Sequence, residues 1–461
     1  MDDIRALLVN TAELAADFLA GLDGRPVGST ATVDELRASL DIELGDEPVA
    51  SDAVFDHLVR AADPGVVAMA SGRYFGFVIG SALPAAIAAD WMTSAWDQNA
   101  GMYALAPAAA VVEETVGRWL KDLLQLPSGA SFALVTGCQM AHFTALSAAR
   151  LRVLEQANWD VNEAGLDVAP AIRVLVGNDR HVTVDRALRY LGIGSRAIVP
   201  VATDADGRIV IGALERALSD GDGPTIVCAQ AGEVNTGAID PIRDICDVGH
   251  GAGAWVHVDG AFGMWAAASP TLRPLVAGIE HADSWATDAH KWLNVPYDSG
   301  LAFCAHPAAH RRAMSVHADY LVHADADSSP RDQVDWGPEF SRRARGVPIY
   351  AALRSLGRNG VASLIETSCA HAKRIAAELR QLDGVEVIND VTLNQVLVRF
   401  GDDVRTRAVL QLVQDEGECW MSGTTWRGRA AMRISVVNWR TNEEDVARTV
   451  ASIRRAHANA S

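Results

Sequence analysis

From about Ala130 the chain alternates short, continuous apolar runs with helical stretches, and this alternation narrows the possible folds more than any other feature. The runs lie at 131–136, 172–176, 225–229, 254–258 and 299–304, and helical patterns at 141–154, 182–191 and 241–249 separate them. A strand that is apolar on both faces must be covered on both, which predicts an α/β domain with a mainly parallel sheet. Ligands of such sheets bind at the carboxyl ends of the strands. Residues 2–21 and 32–40 read as helices joined by a Gly- and Pro-containing loop, an N-terminal arm. Beyond Met314 the pattern changes. A polar stretch at 325–335 reads as a surface loop, followed by helices at 347–357 and 363–382 and strands at 385–388, 395–400 and 431–436. The expected division is therefore an arm at 1–70, a large α/β domain at 71–314, and a mobile loop with a smaller α+β domain at 315–461.

With 461 residues, 49% of them apolar, the chain can build a large core. Its net charge of −18 argues against a nucleic-acid partner, which needs clustered Lys and Arg. Phosphorylated small molecules stay open, because their sites are local. No apolar run approaches the roughly 20 residues that cross a bilayer, and the opening MDDIRALL is acidic, unlike a secretory leader. The six cysteines form no CxxC pair and no zinc spacing. These features predict a cytoplasmic protein with free thiols, no metal site and no membrane partner.

Four constellations could carry chemistry. Asp259 ends the apolar run at 254–258 in HVDGAFG, where a carboxylate is costly unless a cation pairs with it. Lys291, in DAHKWL, is flanked by apolar and aromatic residues. The two other lysines, Lys121 and Lys373, lie in amphipathic helical patterns and read as solvated. A desolvated lysine has a lowered pKa and serves as a Schiff-base nucleophile, so Lys291 is the candidate. Gly137-Cys138-Gln139 links a strand to a helix N-terminus, where free N–H groups favour a phosphate. His181 follows a strand and opens a helix, a place where a histidine is commonly a cap. There is no GxGxxG or Walker pattern, which disfavours a dinucleotide or P-loop site.

In this order, the four constellations resemble the group II pyridoxal 5′-phosphate (PLP) decarboxylases, the family of aromatic amino acid, glutamate and histidine decarboxylases. The resemblance runs from Arg73-Tyr-Phe-Gly76 to Met432-Arg-Ile-Ser435, and HVDGAFG and DAHKWL are its most specific pieces. It implies PLP fold type I, aspartate aminotransferase-like. Lys291 would then form the Schiff base with PLP and Asp259 would pair with the ring nitrogen. His181 would stack on one ring face and Ala261 on the other. Cys138, Gln139 and His290 would hold the phosphate, and Tyr74 and Phe75 would line the substrate pocket. The implied reaction is decarboxylation of an L-amino acid, with an aromatic one preferred, in a homodimer with shared active sites and the arm wrapped around the partner.

Three departures bear on mechanism. The stretch 328–336, matching the loop that usually carries a proton-donating tyrosine, has none; Tyr320 lies before it, and His323 is the substitute acid. In relatives without that tyrosine the carbanion can meet O₂, giving an aldehyde, ammonia and peroxide, which is the main alternative activity. Glu233 and Val234 replace the family's paired threonines, leaving Asn235 to supply hydrogen bonds near the cofactor or substrate carboxylate. Asp288 replaces an asparagine near the phosphate, where an acid is unfavourable. A PLP-binding relative without turnover is the alternative from another class; intact Lys291, Asp259 and His181 argue against it. An aminotransferase would need a second-substrate arginine that nothing in the sequence singles out.

Overall fold

The apolar runs pair into one seven-stranded sheet. Its strands are β1 Ser131–Val135, β2 Arg173–Gly177, β3 Ile198–Val201, β4 Thr225–Gln230, β5 Trp255–Asp259, β6 Ser284–Asp288 and β7 Gly300–Cys304. Their order is β1-β7-β6-β5-β4-β2-β3. Neighbours from β6 to β3 run parallel, and β7 is antiparallel to both β1 and β6. Every residue of β1, β4, β5, β6 and β7 is buried, as the continuous apolar runs require. β3, with a proline at 200, lies at the sheet edge and is largely part-exposed. This computed structural model describes residues 3–315 and 331–460. Tyr320 and His323 lie outside the described residues.

Helix α1, Cys138–Gln156, buries Ala141, Ala145, Leu146, Ala148 and Ala149 among its many core residues. A helix buried nearly all round belongs inside, and the small alanines let it lie close to the sheet. Leu146 and Leu151 join Val174, Val176, Ile226 and Trp255 in one core cluster. Helix α2, Val182–Tyr190, starts at His181, whose side chain caps it by accepting from the Thr183 N–H.

The chain divides into two compact units. The sheet belongs to the larger, Gly80–Lys373 with Asn389–Val396. Within it, the end of the polar stretch is not the surface loop expected from its composition. Asp335 is buried and paired with Arg311 at 2.7 Å, and the Arg331 guanidinium lies between the Phe132 and Trp336 rings. Helix α3, Gly346–Leu379, joins the two helices expected at 347–357 and 363–382, with non-helical backbone at Gly357, φ +60°. Lys121, expected to be solvated, donates to the Ser128 and Ala130 carbonyls at 2.6 and 2.7 Å.

The second unit gathers Met1–Ile79, Arg374–Ile388 and Leu397–Ser461. Its five-stranded sheet runs Tyr74–Phe75, Trp420–Trp426, Arg429–Ser435, Gln395–Phe400, Val385–Val387. Buried Arg73 ties its two ends together, donating to the Asp23 carbonyl at 2.9 Å and pairing with Glu418 at 3.3 Å. The helices Ile4–Ala20, Val33–Leu40 and Ser51–Ala62 bury no residue of their own. Among the described residues, no helix is long and apolar enough to cross a membrane.

In the large unit, Arg342 and Glu113 form a fully buried ion pair at 2.7 Å, and Arg342 also donates to the Leu134 carbonyl in β1 at 2.8 Å. Removing one partner strands the other charge. Arg342→Met should cost about 3–5 kcal/mol of unfolding free energy in urea titrations, and adding Glu113→Leu should recover most of it.

Candidate functional site

Three strand ends converge at the carboxyl edge of the large sheet. Asp259 closes β5, Asp288 closes β6, and β1 leads through Gly137 into α1. Asp259 is in register with Ala286 of β6, and Gly300 of β7 with both Asp288 and Val135. The approach is tight: a Cβ on Gly300 would lie 2.4 Å from the Gly137 backbone. Lys291 follows β6 on a loop braced by residues 80–83. A Cβ on Gly80 would lie 2.0 Å from the Lys291 carbonyl oxygen, so only glycine fits there. Ser81 and Leu83 donate backbone N–H groups to the Asn294 side chain and carbonyl at 3.0 and 2.8 Å.

Asp259 is buried, and its carboxylate meets three donors. The Ala261 N–H lies 3.2 Å from Oδ1, the Cys138 thiol 3.9 Å from Oδ1, and His142 Nε2 3.5 Å from Oδ2. Burial alone would raise its pKa, but His142, then His181 and Lys291, hold it well below the usual carboxylate range. Cys138 is a protonated thiol, because burial and then the Asp259 and Asp288 carboxylates push its pKa well up.

Lys291 Nζ lies 3.2 Å from Asp288 Oδ2, with 20% of the side chain exposed. The sequence reading expected a depressed pKa, and the structure reverses this. Burial does push it down, but the nearby carboxylates, Asp288 foremost and then Asp259, hold it above its ordinary value. Lys291 is therefore an ammonium held by a carboxylate.

Asp288 Oδ1 accepts from the Cys138 N–H at 2.6 Å and faces His290 Nε2 at 3.4 Å. His290 Nδ1 accepts from the Ser299 N–H at 3.1 Å, so the ring proton sits on Nε2, toward Asp288. The Tyr297 ring stacks on His290 at 4.3 Å. Burial lowers the His290 pKa, with Asp288 opposing.

The structure thus brings together Cys138, Asp259, Ala261, His290 and Lys291, and His181 lies close enough to act on the Asp259 charge. His181 Nδ1 also lies 2.8 Å from Thr183 Oγ1, so it is both a cap and a neighbour of the site. The Asn235 amide donates to buried Glu233 at 2.9 Å. Tyr74 and Phe75 are buried in the other unit, where Tyr74 stacks on Trp420. The sequence reading did not assign a role to His142.

The chain matches the pyridoxal-dependent decarboxylase conserved domain over residues 34–400. It belongs to that family. It is 25% identical to the aromatic-L-amino-acid decarboxylase of Bacillus atrophaeus, over 98% of this chain and 95% of that one. It is 30% identical to a tyrosine decarboxylase of Oryza sativa subsp. japonica, over 84% and 74%. Its fold matches the crystal structure of Oryza sativa TDC with PLP and tryptamine, with a TM-score of 0.92 at 24% identity, covering 99% of this chain and 98% of that one. The family places the chain among PLP-dependent amino acid decarboxylases of fold type I.

The residues fit that cofactor. Both polar atoms of the Gln139 amide and the Ser299 hydroxyl are buried without a partner, on two of the segments that meet at the Gly137 turn. These atoms, with His290 Nε2, offer an anion the donors it needs. Asp288 is the exception, since its carboxylate already takes the Cys138 N–H. Asp288→Asn should tighten PLP binding about tenfold, equivalent to ~1.4 kcal/mol of relieved like-charge repulsion, read by tryptophan fluorescence titration of the cofactor-free protein.

Proposed function

We propose that this decarboxylase acts on aromatic L-amino acids through Lys291. The observation that carries the reading is the placement of a buried, ionised Asp259 at the end of β5 and of the partly buried Lys291 just beyond the end of the adjacent strand β6. Lys291 would hold the cofactor covalently, and Asp259 would pair with its ring nitrogen. His181 and Ala261 would cover the ring faces. Cys138, Gln139 and His290 would receive the phosphate, and Asn235 would supply a hydrogen bond near the cofactor or the substrate carboxylate. The bound cofactor supplies the electron sink for the pair left when the Cα–carboxylate bond breaks.

The chain's own residues account for the rest. Asp259 stays ionised because three donors converge on it, so it presents a full negative charge to a ring nitrogen. Asp288, 3.2 Å from Lys291 Nζ, keeps the amine protonated, so Lys291 must give up that proton before it can hold the cofactor covalently. His290, its Nδ1 tied to the Ser299 N–H, keeps Nε2–H directed at the anion side of the site. The aromatic preference comes from the similarity to the Bacillus and rice enzymes. Trp265, Trp285 and Trp292 give it no weight, since they are fully buried core.

The missing tyrosine in 328–336 supports a second reading, in which O₂ intercepts the carbanion and an aldehyde is released with ammonia and peroxide. PLP-loaded protein given aromatic L-amino acids in air should yield one amine per CO₂ without peroxide, as read by mass spectrometry and a peroxidase assay. Aldehyde with stoichiometric peroxide would establish the second reading. His323 would be the substitute proton donor in the first.

The working form we propose is a homodimer in a reducing, cytoplasmic compartment. All six cysteines are free and buried. The helix Ile4–Ala20 buries no residue, yet exposes Ile4, Leu8 and Val9, a face suited to a second copy. Light scattering should give twice the 49.1 kDa chain mass, and Leu8→Glu should shift the protein toward monomer at micromolar concentration.

A further inference from the structure

We propose that His142 and His257 are positioning residues of the reaction: with Ser284 they form a buried, directional hydrogen-bond relay whose last proton is presented to Asp259. The inference rests on the reading of Asp259 as the partner of the cofactor's ring nitrogen.

The fold builds the relay from strand periodicity. His257 and Asp259 are two residues apart in β5, so both point to the same face of the sheet. Ser284 of β6 is in register with His257. His142 lies one turn into α1, and its ring reaches both β5 residues. His142 Nδ1 lies 2.9 Å from His257 Nε2, and its Nε2 lies 3.5 Å from Asp259 Oδ2. His257 Nδ1 lies 2.9 Å from Ser284 Oγ, which also accepts from Trp255 Nε1 at 2.9 Å. His142, His257 and Ser284 are fully buried, so no water competes for these bonds.

Proton counting sets the direction. The indole N–H at the far end can only donate, and the Asp259 carboxylate at the near end can only accept. His257 is neutral, since burial and then the neighbouring His142 push its pKa down to about 3. When each ring carries one proton, one arrangement satisfies the contacts of this chain. Ser284 O–H donates to His257 Nδ1, His257 Nε2–H donates to His142 Nδ1, and His142 Nε2–H donates to Asp259. The reverse order would set a bare imidazole nitrogen against a carboxylate.

The relay therefore keeps a donor on Asp259 Oδ2, while the Ala261 N–H and the Cys138 thiol serve Oδ1. Without it, burial would drive Asp259 toward the neutral acid, which cannot keep a ring nitrogen charged. His142 and His257 act through Asp259 and reach neither substrate nor cofactor.

The test compares His142→Leu, His142→Asn, His257→Leu and Ser284→Ala with wild type, each loaded with PLP at one pH. His142→Leu should shift the absorption maximum of bound PLP and lower kcat at least about tenfold, the effect of one pKa unit at Asp259, with KM changed less. His142→Asn, which retains an N–H donor, should recover most of both. His257→Leu and Ser284→Ala should shift the spectrum in the same direction by less. An unchanged spectrum and kcat in His142→Leu would overturn the proposal. Should that variant fail to fold, an unchanged spectrum in Ser284→Ala, which loses only a hydroxyl, would do the same. In the cofactor-free wild type, ¹⁵N-histidine NMR should show both rings with the proton on Nε2. A proton on Nδ1 of either neutral ring would sink the relay however PLP binds. Correct tautomers in a protein that takes up no PLP would instead sink the reading of Asp259.

Discussion

A carboxylate buried at the end of a central strand is the constraint around which this site is arranged. Asp259 terminates β5 with apolar strands on both sides, where an uncompensated charge would cost several kcal/mol. The protein meets that cost with donors rather than with one salt bridge. The Gly260–Ala261 turn supplies an N–H, α1 supplies a thiol and an imidazole, and Lys291 adds charge from the next strand end. Each donor demands a backbone position. The α1 helix must begin beside β5, β6 must end level with it, and the Lys291 loop must pack on residues 80–83 at a distance only Gly80 permits.

The second carboxylate is of another kind. Asp288 holds Lys291 Nζ, the Cys138 N–H and His290 Nε2 around one side chain. In the protein alone it neutralises groups that would otherwise be unpaired cations or donors. Toward a phosphorylated cofactor the same group is a competitor. On the proposed reading one acid of the site would assist the cofactor and the other would resist it, 29 residues apart in sequence and on adjacent strands.

Much of this was legible in the sequence where burial leaves a continuous apolar signature. Strands β1, β2, β4, β5 and β7 fell within a residue or two of the expected runs. β3 was missed because an edge strand with a proline has no such signature, and β6, Ser284–Asp288, because its polar residues hide a fully buried strand. Lys291 stood out because lysine is rare in this chain. Its pKa direction did not, because the opposing carboxylate of Asp288 is a product of strand register. The relay was present in the letters as His142 in an alanine-rich helix and His257 in an apolar strand. Two histidines in wholly apolar settings were the available signal, and only the structure brings them within 2.9 Å. The polar composition of 331–335 misled in the opposite sense, since Arg331 and Asp335 find buried partners there.

The central claim is that Lys291 holds the cofactor, and borohydride reduction of the PLP-loaded protein tests it most directly. Peptide mass mapping should find one reduced pyridoxyl adduct, on the peptide containing Lys291, with none in Lys291→Ala. An adduct on Lys121 or Lys373 in the wild type, or cofactor retained covalently by Lys291→Ala, would contradict the account.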